Sequence, residues 1–157
     1  MLLHSYASPL GEIVLAGEGE TLTGLWFRGQ AHFTAPAAPV GDAPCFRAAA
    51  LWLDRYFAGE TPGPTPLLRP EGSAFQQTVW AKLLEIPYGQ TRSYGDLAAE
   101  LGSSARAVGG AVARNPISLL IPCHRVLGAG GRLTGYAGGL DRKRQLLSLE
   151  AAGAGSR

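Results

Sequence analysis

The sequence has only two cysteines, three histidines and no apolar run near the length of a membrane span. Two cysteines cannot build a disulfide framework, and Cys45 and Cys123 show no metal-ligand spacing. A membrane-spanning helix needs about 20 consecutive apolar residues, so we expect no membrane contact. The first residues lack a basic stretch followed by a long apolar run, and we therefore expect no secretion signal. Both cysteines are then expected to be reduced thiols.

Charge is also scarce, at 17% of residues with a net of +2, but it is unevenly distributed. Residues 1–69 carry four basic and six acidic side chains, whereas residues 70–157 carry ten basic and six acidic ones. A basic second half fits an anionic partner, although ordinary surface variation produces the same imbalance. The hydrophobic content of 46% is enough for a core and argues against a disordered chain.

The first half of the chain has the pattern of a small sheet followed by a helix. Three β-prone stretches are separated by turn residues: Leu2–Tyr6, Glu12–Ala16 and Leu22–Phe27. Apolar residues at helical spacing predict a helix over Pro44–Phe57, with Cys45 as a packing residue near its start. Three prolines lie within residues 61–66 and cannot continue that helix, so we place a domain division between residues 60 and 72.

The second half predicts helices. Ser73 and Gln76 have the spacing of a capping box, and an apolar stripe follows them up to Leu84. Three more helices are expected over Tyr94–Leu101, Ala105–Ala113 and Leu140–Ala151. Because a short turn with a glycine joins the first two of these three, they form a helix-turn-helix pattern. Two glycines inside the second one, Gly109 and Gly110, suggest close approach of a neighbouring backbone or a ligand.

The dipeptide Cys123-His124 is the strongest chemical signal in the sequence. A thiolate is the nucleophile, and an imidazole is the side chain best suited to remove the proton near neutral pH. The base also needs an orienting group, for which Glu150 and Asp96 are the candidates. On an extended chain adjacent residues point to opposite sides, so a bridging water is expected to carry the proton. The alternative is a buried cysteine beside an unrelated histidine.

A helix-turn-helix places its second helix against a DNA groove, which suggests how the cysteine is used. Arg106 lies in the first turn of that helix, and Tyr94 starts the preceding one. Both residues also have structural alternatives, a solvated charge for Arg106 and a core aromatic for Tyr94. Chemistry on a base within a duplex requires that the base be flipped out. A reactive cysteine shortly after a DNA-binding helix therefore suits a protein that modifies bases.

Residues 73–150 resemble the C-terminal domain of the O6-alkylguanine-DNA alkyltransferases, the methylated-DNA–protein-cysteine methyltransferases. The matching stretches run in family order: Phe75–Trp80, Ile86–Ala98, Ala105–Ala111, Asn115-Pro116, Ile121–Val126, Gly135–Leu140 and Lys143–Glu150. The resemblance implies an α+β fold. A small N-terminal ribonuclease-H-like α/β domain, residues 1–65, would precede an all-α, winged-helix-like C-terminal domain with the helix-turn-helix, residues 66–157.

The resemblance also implies roles for single residues. Cys123 would accept the alkyl group, His124 would take its proton through a water, and Glu150 would hold His124. Tyr94 would donate a hydrogen bond to the purine ring, and Asn115 would hold the turn before the active-site segment. Arg106 would fill the gap left by the flipped nucleotide. The remaining residues implied are Ala105 and Gly109 at the DNA, and Val112, Val126, Tyr136, Ala137 and Gly138 around the guanine pocket.

The implied function is DNA repair by direct reversal, in which the alkyl group of O6-alkylguanine, and of O4-alkylthymine as a second substrate, moves irreversibly to the protein. Because thioethers are stable, we expect one turnover per molecule, with no cofactor and no metal. The expected partner is double-stranded DNA, with no obligate protein partner, a monomeric state and a location in the compartment that holds the genome, the cytoplasm in cells without a nucleus. The alternatives are a non-catalytic alkyltransferase-like lesion-binding protein and a cysteine hydrolase of small substrates.

Overall fold

A computed structural model describes residues 1–155, in which a sheet-rich N-terminal half is followed by a helical C-terminal half. The strands are β1 (Leu2–Ser8), β2 (Gly11–Glu18), β3 (Thr21–Phe27), β4 (Leu67–Leu68), β5 (Arg92–Ser93) and β6 (Val126–Leu127). The helices are α1 (Pro44–Phe57), α2 (Ala74–Leu83), α3 (Tyr94–Leu101), α4 (Ala105–Ala113) and α5 (Leu140–Gly155). Short 3-10 turns cover Cys123–Arg125 and Ala129–Gly131. The three predicted strands and five predicted helices are confirmed, with ends that differ by a few residues.

The N-terminal sheet has the order β1-β2-β3-β4, with antiparallel pairing up to β3 and a parallel pair between β3 and β4. Ile13 and Leu15 on one face are fully buried and pack in the same core as α1. On the other face Trp26 stacks on Phe33, with ring centroids 4.0 Å apart. Since both faces are covered, β2 is buried nearly throughout and does not alternate. The predicted division between residues 65 and 66 stays a prediction.

Serine side chains define where the helices of the second half begin. Ser73 and Ser93 form capping boxes with Gln76 and Asp96, and Ser104 accepts a hydrogen bond from the backbone N–H of Ala107. Such caps satisfy N–H groups that have no partner within the helix, typically contributing about 1 kcal/mol each. Gly102 ends α3 with φ of 62°, a left-handed conformation that glycine adopts without strain. The predicted helix-turn-helix of α3 and α4 is therefore present.

The sheet also holds the segment that leads to Cys123. The backbone N–H of Leu25 in β3 donates to the carbonyl of Pro116 at 3.0 Å, and the N–H of Ser118 donates back to Leu25 at 2.9 Å. Ile117, between them, is fully buried. The two halves therefore share one apolar core, and the segment before Cys123 is anchored on the N-terminal sheet. Among residues 1–155, none of the helices combines the length and apolar character needed to cross a bilayer.

Candidate active site

Cys123 starts a 3-10 turn at the wall of a cavity of about 280 Å³. The residue is only 5% exposed, so its sulfur is reached through this cavity rather than from the open surface. The lining residues come from both halves of the chain: Ala31, His32, Tyr94, Gly109, Val112, Ala113, Cys123, Gly135, Tyr136 and Ala137. The Arg125 N–H donates to the Pro122 carbonyl at 3.1 Å and closes the turn, so the chain does not have the extended geometry from which the bridging water was inferred, and that water stays a prediction.

The side chain of Asn115 supports the cysteine by hydrogen bonds to the backbone of the preceding loop. Its side-chain nitrogen donates to the carbonyl of Ile121 at 2.8 Å, and its side-chain oxygen accepts from the N–H of Ile117 at 3.0 Å. The residue is 4% exposed, so loss of either bond would leave a buried polar group without a partner. Asn115 therefore holds both ends of the loop that precedes Cys123, close to where the sequence predicted it.

The thiol of Cys123 is held in its neutral form at rest. Burial raises its pKa, while a hydrogen bond from Asn115 and the positive charge of Lys143 act in the opposite direction without overcoming the burial. For this thiol to act as a nucleophile, a base would have to take its proton.

His124 is fully buried and hydrogen-bonded to Glu150, with 2.5 Å between Nε2 and Oε2. Burial lowers the pKa of the imidazole, although the Glu150 carboxylate works against that effect. The ring is therefore neutral near pH 7, as a base must be. Among the described residues, no protein group bonds its other nitrogen, Nδ1. With Nε2 carrying the proton donated to Glu150, Nδ1 is the nitrogen that can accept one.

Glu150 lies on α5, is 1% exposed, and gathers donors from several parts of the chain. Arg125 donates through Nε to Oε1 at 2.7 Å, and the backbone N–H of Gly89 donates to the same oxygen at 3.2 Å. The Tyr56 hydroxyl donates to Oε2 at 2.6 Å. Burial alone would raise the carboxyl pKa, but the hydrogen bonds and charges of His124 and Arg125 outweigh it and lower the pKa to about 2. The carboxylate is thus anionic at every working pH.

Local sequence reasoning left two acids open as partners of His124, and the family resemblance implied Glu150. Asp96 accepts the backbone N–H of Ser93 at 3.4 Å and belongs to the cap of α3. Glu150, not Asp96, is the partner of His124.

The half-buried Tyr94 lines the cavity, and the buried Lys143 lies beside its ring. Burial raises the pKa of Tyr94, as does the nearby Cys123, so the hydroxyl stays protonated. Lys143 donates to the carbonyls of Thr134 and Gly135 at 2.7 and 3.0 Å and thereby holds the segment that leads into Tyr136. Burial lowers the pKa of Lys143 to about 8.

The predicted pocket residues are only partly brought together. Val112, Tyr136 and Ala137 line the cavity, and so does Gly109, which the sequence placed at the DNA. Val126 is fully buried in the core, and Gly138 borders a separate surface cavity. Neither of those two lines the cavity beside Cys123.

The predicted DNA-contacting residues lie together at the helix-turn-helix surface. Ala105 and Arg106 are exposed in the first turn of α4. They border a cleft with Tyr94, Gly109 and Gly135, three residues that also line the cavity of Cys123. The cleft on this surface and the cavity of Cys123 are therefore adjacent and share part of one wall. At Gly110 a side chain would meet no atom within 4 Å, so the glycine pair is not explained by crowding within the protein.

Sequence reasoning missed the contribution of the N-terminal half. Ala31 and His32 line the cavity, and the N–H of Ala31 donates to the carbonyl of Ala137 at 2.9 Å. Tyr56 reaches Glu150 from α1. Arg125 was also missed, although it directly follows Cys123-His124 in the sequence. The structure buries it against the carboxylate of Glu150, the anionic partner that a buried arginine requires.

Comparison with known proteins identifies the family. Residues 74–152 match the 6-O-methylguanine DNA methyltransferase DNA-binding domain, and residues 1–65 match the ribonuclease-like domain of the same family. The chain is 48% identical to a methylated-DNA–protein-cysteine methyltransferase of Methanosarcina acetivorans over 94% of this chain and 96% of that one. A Mycobacterium leprae protein of the same name is 48% identical, over 94% and 90%.

A solved structure with a similar fold is Mycobacterium tuberculosis OGT in complex with DNA, at a TM-score of 0.90 and 46% identity, covering 98% of this chain and 94% of that one. The expected α+β fold and the expected family are thereby confirmed. On these matches and on the geometry above, the chain belongs to the 6-O-methylguanine DNA methyltransferase family.

Proposed function

We propose that this protein repairs DNA by moving the alkyl group of O6-alkylguanine onto the sulfur of Cys123, once per molecule. The observation that carries the proposal is the position of Cys123 in the wall of a cavity, next in sequence to the buried His124–Glu150 pair. The names of the relatives and the DNA-bound structure of a similar chain support the same reaction and partner.

His124 is the proposed base. Its imidazole is neutral and bonds Glu150 through Nε2, so Nδ1 receives the thiol proton, through a water in the pocket. The imidazolium that forms is stabilised by the anionic carboxylate of Glu150. Because His124 can take the proton as the thiol attacks the substrate, the buried thiol need not ionise before the substrate arrives.

Tyr94 is the proposed acid. The thiolate attacks the alkyl carbon, a bond from sulfur to carbon forms, and the bond from carbon to O6 breaks with its electron pair remaining on guanine. Guanine is a poor leaving group as a bare anion, so the protonated phenol of Tyr94 donates a proton to the purine ring. The proton held by His124 then restores the phenol through solvent. The product on the protein is a thioether, which cannot return to a thiol, and this accounts for the single turnover.

The helix-turn-helix brings the base to the cavity. Arg106 enters the duplex from the exposed first turn of α4 and fills the space of the extruded nucleotide, which lowers the cost of unstacking. The cleft beside Ala105 and Arg106 shares Tyr94, Gly109 and Gly135 with the cavity, and the flipped base follows this path. We place the reaction in the compartment that holds the genome.

Locating the transferred alkyl group on a single cysteine by mass spectrometry tests the proposal. Duplex DNA with a labelled O6-methylguanine is incubated with protein, and the label is located by peptide mass spectrometry. We expect about one methyl group per molecule, on Cys123, because a single acceptor does not recycle. Cys123→Ala should abolish transfer, and Cys45→Ala, which removes the other buried free thiol, should not. Tight binding to the lesion without any mass change would instead favour a non-catalytic lesion-binding protein.

A further inference from the structure

We propose that Tyr56, from the N-terminal half, is a positioning residue that sets the basicity of His124 through Glu150. The inference rests on the proposed roles of His124 and Glu150 and adds a third member to that pair. It also gives the N-terminal half a part in the reaction besides support.

The contact joins residues that are 94 positions apart. Tyr56 lies in the last turn of α1, and its hydroxyl donates to Glu150 Oε2 at 2.6 Å. The same oxygen is bonded to His124 Nε2, and the hydroxyl oxygen lies 3.4 Å from that nitrogen. Tyr56 is fully buried. Oε2 of Glu150 therefore receives hydrogen bonds from the phenol and from the imidazole, and a longer one from Arg125 Nη2 at 3.2 Å.

The phenol is a permanent donor in a fixed place. Burial, followed by the charge of Glu150, raises its pKa far above the ordinary value for tyrosine, so the hydroxyl stays protonated near neutral pH. The ring stacks on Trp52 at 5.1 Å with an interplanar angle of 9° and meets Tyr88 edge-on at 6.3 Å. Packing on two sides prevents the hydroxyl from turning away from the carboxylate.

A hydrogen bond to Oε2 withdraws negative charge from the oxygen that faces His124. The imidazolium is then stabilised less than it would be by a carboxylate without that donor, and His124 stays neutral and ready to accept the thiol proton. Loss of the hydroxyl should make His124 more basic, while the hydrogen bond from Arg125 Nη2 to Oε2 remains. The other titratable or charged groups around this pair stay in place in such a variant: Tyr88, Cys123, Arg125, Tyr136 and Lys143.

Tyr56→Phe keeps the ring and removes the donor. The base works only when neutral, so the rate falls as the pH drops through the pKa of His124. When that pKa rises, the acid limb of the rate profile should move to higher pH by about 0.5–1 unit. At pH values below the His124 pKa of both proteins the rate should be roughly 3–10-fold lower in the variant, whereas at alkaline pH, where the ring is neutral in both, the rates should be similar. The loss should be equal for duplex DNA and for the free base O6-benzylguanine, since the defect lies in the proton transfer and not in DNA binding.

Tyr6→Phe is a matched control. Its hydroxyl also donates to a carboxylate at 2.6 Å, that of Asp54, but in the N-terminal half away from the cavity. We expect an unchanged rate profile. If Tyr56→Phe lowers the melting temperature as Tyr6→Phe does, and the acid limb of both matches the wild type, Tyr56 has only a structural role and the inference is overturned.

Two further measurements keep the test independent of folding defects. Replacing Tyr56 by 3-fluorotyrosine strengthens the donor with little change in size, and the acid limb should then move to lower pH. In a Glu150→Gln background, Tyr56→Phe should change the rate less than about twofold, because its route to His124 is already broken. An unshifted limb with fluorotyrosine, or full additivity in the double variant, would contradict the inference. If the wild-type protein itself transfers no alkyl group to Cys123, the proposed function fails instead.

Discussion

Lys143 Nζ lies 5.7 Å from the centroid of the Tyr94 ring, although the two residues are far apart in the sequence. The ammonium group is buried, bonds two backbone carbonyls of the pocket segment, and also stabilises the charged form of Cys123. One cation thus lies beside the proposed acid Tyr94, stabilises the charged form of the proposed nucleophile Cys123, and holds the segment that leads into Tyr136.

The pKa of about 8 for Lys143 predicts an alkaline limb in the rate of alkyl transfer. As the pH rises through 8 the ammonium is lost, and with it the support for the developing thiolate, so the rate should fall. Stopped-flow measurement of O6-benzylguanine reaction between pH 6 and 10 checks this. In Lys143→Arg the charge persists, and the fall should disappear. A wild-type rate that keeps rising to pH 10 would contradict the prediction.

Lys143 also predicts how stability depends on pH. Its pKa is lower in the folded state than the ordinary value of 10.5, so the unfolded chain binds more protons between pH 8 and 10.5. The contribution of this residue to stability should therefore increase as the pH rises across that window. Urea unfolding of the wild type and of Lys143→Met, compared at pH 7 and pH 10, measures the difference.

Glu150 predicts a dependence of stability on pH in the acid range. Its folded-state pKa of about 2 is below the ordinary value, so its contribution is fully present above about pH 4.5 and is lost as the pH falls towards 2. Glu150→Gln should reduce the free energy of unfolding at pH 7 by roughly 3 kcal/mol, because it leaves buried Arg125 without its anion. The difference from wild type should shrink steadily in urea titrations below pH 4.5. A constant difference down to pH 2 would show that the carboxylate charge is not responsible.

Arg106→Ala should slow repair of duplex DNA by at least about tenfold and leave the reaction with free O6-benzylguanine within about twofold, since only the duplex requires base extrusion. Arg114→Ala removes an exposed arginine at the other end of α4 and serves as the matched control for lost positive charge. Single-turnover kinetics on both substrates separates the two effects. Equal losses on duplex and free base would rule out the extruding role of Arg106.

His32 predicts an effect of the N-terminal half on substrate choice. It lines the cavity and has a φ of 62°, a left-handed conformation that costs a non-glycine residue about 1 kcal/mol. His32→Gly should relieve that strain, offsetting the similar entropy cost of glycine, so stability should change little. Removal of the imidazole from the cavity wall should raise the rate for O6-benzylguanine relative to O6-methylguanine severalfold. An unchanged ratio of the two rates would show that His32 does not limit the size of the alkyl group.

Local chemistry explains what was predictable about the fold. Ser73, Ser93 and Ser104 begin helices and Gly102 ends one because caps act within a few residues, so their signals are contained in the sequence around them. The adjacent Cys123 and His124 were recognisable in the same way, since a nucleophile and its base are neighbours in the chain.

The partners of Glu150 had no such signal. Tyr56 and Gly89 lie 94 and 61 positions away, and hydrogen bonds of that range depend on how α1 and α5 pack rather than on local pattern. Local pattern likewise could not choose between Glu150 and Asp96, since both are acids near helices, and only the resemblance to the family implied Glu150. Capping, periodicity and adjacency act over a few residues, and for that reason the helices, the strands and the Cys123-His124 pair were predictable from the sequence. Burial and long-range contacts arise only when the two halves share one core. The turn at Cys123 and the approach of Ala31, His32 and Tyr56 to the site therefore became visible only in the folded chain.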